Sequence, residues 1–329
     1  MTKNMKFLHL CTRLTNTMKE SMSYVPMLPG MYNWINVFKG NVAPYKLAKD
    51  NLEDYDCVQI NMSPVDFPMI MQAARKLKNS STMLVLNNDY VAEHWGALNI
   101  NPTEYMEIQK LGDMVFGTEP YQTSCMIDGA YCLPHPHRVD ILKHYRLDIS
   151  DEDKKGKVGA LFHWWERQMT LPSILFNKLQ DRGHKLNTHL YAFNFDACDN
   201  KKWAKVLFDH NMQGFRYPTF IKEMMTLQLF VENCGYHTYG RTTVDSAALG
   251  VPTIGTNRVF SMRHCFPNMC YDPVDMKKGV EIAEKVLKGG KWLDEQMSIA
   301  YDKSDFFNYD NSRERFMIAY NESKNRVGK

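Results

Sequence analysis

Long apolar runs are missing from this 329-residue chain. None approaches the roughly 18–20 residues that cross a bilayer, so no transmembrane helix is expected, though peripheral membrane contact stays open. The opening MTKNMKFLHLCT has a short apolar core and no small-residue cleavage pattern, which predicts no signal peptide. None of the eight cysteines (11, 57, 125, 132, 198, 234, 265 and 270) forms a CxxC pair, and no Cys/His group has zinc spacing. They read as buried thiols in a reducing compartment, which points to the cytoplasm. His135 and His137 stand two apart in a proline-rich stretch with no carboxylate cluster, so no metal is expected there. A net charge of +3 demands no nucleic-acid partner. Internal repeats and low-complexity segments are also absent.

What is present is ordinary globular material. Apolar residues make up 44% and charged residues 23%, and the length suits two domains. Strand-like runs occur at 6–12, 56–63, 81–90, 113–119 and 130–136, with helical patterns at 64–79 and 101–112 between them. The rhythm restarts with strands at 157–164, 185–194, 229–234 and 251–257. Helices are expected at 171–183, 201–211, 220–228, 242–250 and 275–290, and two more follow. Such alternation predicts α/β architecture: two Rossmann-like, doubly wound domains facing a cleft. The segment 133–157 begins proline-rich and ends charged, and reads as the linker. Ligands of open parallel sheets bind beyond the carboxyl ends of strands. The loops after those ends are therefore the places to look.

One such end is ENCGYHTYGRTTVDSAALGVPTIGTNR, residues 232–258. A strand runs into a turn at Gly240, then a helix of small residues. The first N–H groups of a helix lack internal partners and carry the positive end of its dipole, a natural phosphate site. Gly240 would admit a phosphate closely, Thr242 and Thr243 would add hydroxyls, and Asp245 could accept hydrogen bonds from a ribose diol. Plain helix capping by the threonines explains the same pattern structurally.

HTYGRTTVDSAALGVPTIGT resembles the donor-site segment of GT-B glycosyltransferases, glycosyltransferase family 4 above all. Tyr239–Gly240 fits the family's aromatic–Gly pair. Asp245 stands where the second Glu of its Glu-x7-Glu motif falls, and Ala248, Gly250, Val251, Pro252 and Ile254 fit the remainder. His237 occupies the place of the first Glu, which in the family contacts the transferred sugar. More weakly, CLPHPHRVDIL resembles the interdomain segment, and VGALFHWWERQM the first strand and loop of the donor domain. The carboxyl-terminal FFNYDNSRERFMIAYNE resembles the closing helices, the last of which returns to the first domain.

The resemblance implies an acceptor-binding domain over 1–150, a nucleotide-sugar domain over 151–305, and a returning helix over 306–329. It implies a metal-independent, retaining glycosyltransferase with no cofactor beyond its nucleoside-diphosphate sugar. The acceptor stays open among glycan, lipid, protein and modified nucleic-acid base. Arg167 and Arg241 are the diphosphate candidates, since a guanidinium can bind two phosphate oxygens at once. His163 is a further candidate for the diphosphate or sugar, Asp245 for the ribose, and Phe215 and Tyr217 for the base. Asp89, ending a first-half strand beside Asn87 and Asn88, is the candidate to position or deprotonate an acceptor hydroxyl. His237 is the candidate at the sugar. Two rivals stand: a nucleotide-sugar epimerase of the same fold, and a catalytically inactive binding module, which the substitution at His237 favours.

Overall fold

Strands buried on both faces read as near-continuous apolar runs, and the first strand, FLHLC, is buried along its whole length with one polar residue, His9. In the computed structural model of the protein, residues 5–11, 33–44, 51–90, 95–96, 99–145, 147–162, 169–192, 205–213 and 217–329 are described. The chain divides into two compact units: Met1–Arg138 with Phe306–Lys329, and Val139–Asp305.

The first unit holds β1 (Phe7–Cys11), β2 (Asn41–Pro44), β3 (Cys57–Asn61), β4 (Met83–Asn88), β5 (Met114–Gly117) and β6 (Tyr131–Cys132). They form one parallel sheet in the order β2-β1-β3-β4-β5-β6. Side chains alternate between its faces. Leu8, Leu10, Val58, Ile60, Leu84 and Leu86 join the cluster containing Ile70 and Leu77 of helix Phe67–Leu77. Phe7, Cys57, Met83, Val85 and Phe116 join the opposite cluster, with Trp34 and Phe38 of helix Asn33–Phe38 and Phe316 of helix Tyr309–Val327.

The second unit holds β7 (Lys157–Phe162), β8 (Asn187–Ala192), β9 (His210–Gln213), β10 (Leu229–Glu232), β11 (Thr253–Thr256) and β12 (Cys270–Tyr271). Its parallel order is β12-β11-β10-β7-β8-β9. The chain moves outward from β7 through β8 and β9, then returns to pair β10 with the other side of β7. The β7–β10 boundary is thus the topological switch point, where open α/β sheets bind ligands. In the first sheet the corresponding reversal lies between β1 and β3.

Three strands depart from the sequence reading. β2 and β12 are short, and β9 falls at the end of a run read as helical from 201 to 211. Residues 205–207 are helical, but His210–Gln213 pairs with β8. The linker expected over 133–157 also contains structure. Val139 and Leu142 are buried in helix Val139–His144, which packs on helix Arg241–Leu249 and is tied to Asp305 by a 2.8 Å ion pair from Lys143. Hence the units divide after Arg138 rather than after 150.

Candidate functional site

β10 ends at Glu232, beside the switch point, and the chain turns through Gly240 into the nine-residue helix Arg241–Leu249. Gly240 is the N-cap residue and adopts a left-handed conformation with φ 80°. A Cβ there would stand 2.1 Å from Val259 Cγ1 and 2.7 Å from Ser261 Oγ. The glycine is therefore demanded by the protein's own packing as well as by its backbone angle. The turn is pinned along its length. The amide of Thr238 donates to the Arg258 carbonyl (3.2 Å), Phe260 N to Thr238 O (2.8 Å), and Ser261 N to Tyr239 O (3.0 Å). Ser261 Oγ donates to the Gly240 carbonyl at 2.6 Å.

The two threonines face inward. Thr242 donates its hydroxyl to the buried carboxylate of Glu232. Thr243 is fully buried, and its hydroxyl meets no hydrogen-bond partner. In this structure Thr242's proton is committed to Glu232 and Thr243 shows no open surface, so neither hydroxyl is presented as the phosphate donor expected from the sequence. The helix itself begins at Arg241, which puts Asp245 beyond its first turn.

Asp245 is fully buried. Its Oδ1 accepts a hydrogen bond from the Tyr217 hydroxyl, at the start of helix Tyr217–Met225. Arg241 stacks on the same phenol ring, its Cζ 4.3 Å from the centroid, in a cation–π contact. Its Nε and Nη2 atoms are buried, although the residue keeps partial exposure. Burial first, and the Asp245 charge second, push the Tyr217 phenol well above its usual range, so it remains a hydrogen-bond donor. Burial lowers the Arg241 pKa, but the neighbouring Tyr217 and Asp245 outweigh it and the net direction is upward. The phosphate candidate, the base candidate and the ribose candidate are thus one network. His237 lies in the turn ahead of it, partly exposed with its Nδ1 buried.

In the first unit, Asp89 follows β4 and its Oδ1 lies 2.8 Å from His135 Nε2. The exposures decide which partner faces outward: 3% for the His135 side chain and 35% for Asp89. An ionised carboxylate only accepts, so Nε2 carries the proton and donates it. The segment bearing His135 is anchored locally. The Asn33 amide donates to Pro136 O at 2.8 Å, and His137 N to Phe307 O at 2.7 Å. Asn88, beside Asp89, closes an Asx turn by accepting from Tyr90 N at 3.0 Å, and Asn87 donates to Asn61 at 3.2 Å. Those two asparagines organise the strand end, while Asp89 is the outward carboxylate.

His163, Arg167 and Phe215 lie outside the described residues. Sequence reasoning missed Glu232 and the partner role of His135. The carboxyl end of β10 was a signal for Glu232, whereas the contact between His135 and Asp89 spans 46 positions and leaves no local signature. Among the described residues no group of three or more His, Cys, Asp or Glu side chains is placed to hold a metal ion. No helix among them is long and apolar enough to cross a membrane.

The sequence matches no protein-family model and no curated protein. Solved structures do match. A trehalose-6-phosphate structure from E. coli, bound with UDP-2-fluoro glucose, is 8% identical over 97% of this chain and 99% of its own, with a TM-score of 0.70. An alpha,alpha-trehalose-phosphate synthase (UDP-forming) from Burkholderia xenovorans, in complex with glucose-6-phosphate, is 9% identical over 88% and 77%, at 0.69. An alpha-glucosyltransferase in complex with UDP-glucose and DNA containing an abasic site is 12% identical over 96% and 99%, at 0.63. At such identities the likeness speaks for the fold, and that fold is GT-B.

Proposed function

We propose that this chain is a glycosyltransferase that moves a sugar from a nucleoside-diphosphate sugar to a hydroxyl acceptor, without a metal and with retention of anomeric configuration. The observation that carries the reading is the Asp245–Tyr217–Arg241 network at the N-terminal end of helix Arg241–Leu249, beside the switch point of the second sheet. The fold matches structures bound with UDP-glucose and UDP-2-fluoro glucose, which supports a uridine diphosphate sugar as the first donor to assay.

In this reading the second unit binds the donor. Asp245 accepts from the ribose hydroxyls. The first N–H groups of the helix and the Arg241 guanidinium meet the diphosphate, where negative charge grows as the bond from sugar C1 to phosphate oxygen breaks. His237 lies at the turn where the transferred sugar sits. The first unit binds the acceptor. Asp89, oriented by His135, positions the acceptor hydroxyl; with retention that hydroxyl attacks C1 from the face the diphosphate leaves, and the departing phosphate oxygen takes its proton as the new C1–oxygen bond forms. Acceptors to assay are sugars and sugar phosphates, lipids, proteins and hydroxylated nucleic-acid bases. The described cysteines are all free thiols, which supports a reducing compartment such as the cytoplasm.

Donor turnover without acceptor tests the function. Incubation with nucleotide sugars, followed by product analysis, is expected to show slow free-sugar release from one of them. An epimerised sugar nucleotide would indicate an epimerase. Tight binding with no product would indicate a binding module, the reading that His237 in place of a carboxylate favours.

A further inference from the structure

Asp245 shows no open surface here, yet it is the carboxylate that the donor reading assigns to the ribose. What covers it is Tyr217. The phenol gives Oδ1 the hydrogen bond that a ribose hydroxyl would give, from the same kind of O–H group. Arg241 is drawn into the same arrangement, its guanidinium over the Tyr217 ring instead of projecting beyond the helix end. A hydrogen bond joins phenol to carboxylate and a ring contact joins phenol to guanidinium, so the three side chains pack as one set with Tyr217 between the two charged groups.

The geometry points to Tyr217 as a stand-in for the ribose: nucleotide binding exchanges the phenol O–H on Asp245 for ribose hydroxyls and releases Arg241 toward the diphosphate. This rests on the donor-site reading of Asp245. It makes Tyr217 a determinant of donor affinity through its hydroxyl, separate from any stacking of its ring on a base. The burial-driven rise of the phenol pKa supports it, since a phenol that stays protonated is always able to re-form the bond.

Tyr217→Phe isolates the hydroxyl, because the ring that Arg241 stacks on is retained. Titration calorimetry with uridine diphosphate is expected to show roughly tenfold tighter binding in the variant than in wild type, the change expected for losing one competing hydrogen bond to a charged group. The gain should vanish with 2′,3′-dideoxyuridine diphosphate, which has no hydroxyls to take the vacated place. Equal or weaker uridine diphosphate binding by Tyr217→Phe overturns the inference and leaves the donor site standing. An equal gain with the dideoxy nucleotide also overturns it, since the effect would then be general loosening. If neither protein binds any nucleoside diphosphate, the donor-site reading itself fails and the inference with it. Should Tyr217→Phe not fold by circular dichroism, the wild type carries the test: it should bind uridine diphosphate more tightly than the 2′,3′-dideoxy form, and equal binding of the two overturns the exchange.

Discussion

Gly240 has a left-handed backbone, and Val259 Cγ1 stands where its Cβ would go. Gly240→Ala is expected to lower unfolding stability by about 2–4 kcal/mol, from the unfavourable φ and the forced shift of Val259 together. Urea denaturation reads this directly, and an unchanged midpoint would mean the turn is more yielding than its pinning implies. His135 is a positioning residue, because it reaches the outward carboxylate of Asp89 from a buried site. His135→Ala should lower kcat roughly tenfold while leaving donor affinity intact, and His135→Gln, which keeps an N–H, should recover part of it. Equal losses in the two variants would argue for a merely structural histidine. The motif residues around Gly240 were legible because glycine, proline and small-residue spacing are local. The engagement of Asp245 by Tyr217 was not, since the two stand 28 positions apart and meet only through the packing of two helices.

Among the elements, helix Tyr309–Val327 contributes most visibly to the first unit. Phe316 lies 4.8 Å from the Phe38 ring and 5.1 Å from Trp34, and it is fully buried. Phe316→Ala should cost about 3–5 kcal/mol, the usual range for an aromatic core truncation. Beyond the helix, the Lys329 ammonium donates to Leu77 O (3.2 Å), Thr82 O (2.9 Å) and Asp113 Oδ2 (2.7 Å). Lys329→Met should therefore lower stability by about 1–3 kcal/mol. Denaturation midpoints of the two variants check both figures. Strong apolar strands such as KVGALF could be read from sequence because burial on both faces leaves an unbroken run. β9, His-Asn-Met-Gln, could not, since it is short and largely polar and follows a helical segment. Helix Val139–His144 was hidden by the prolines before it and the charges after it.

For the whole molecule, acid stability is set in part by His9, which is fully buried in β1 and held by burial at a pKa of about 3. The unfolded chain protonates this histidine near pH 6.5, the folded chain only near 3. Between those limits the unfolded state binds more protons, so stability falls as pH falls. The slope is roughly 1.4 kcal/mol per pH unit from His9 alone. His189, lowered by burial to about 4, adds to it in the same direction. Unfolding curves between pH 7 and 4 should show that loss, and His9→Gln should flatten it. The alternation of strands and helices was enough to read the α/β class, but the strand order was not, because the return from β9 to pair β10 with β7 is a tertiary event. That return creates the switch point on which the donor reading depends. Thermal shift against a panel of nucleoside diphosphates and their sugars tests it most directly. At millimolar concentration one nucleotide should raise the melting temperature of the wild type by several degrees, Asp89→Ala should respond alike, and Asp245→Ala should not respond at all. No shift with any nucleotide, or an undiminished shift in Asp245→Ala, would contradict the account.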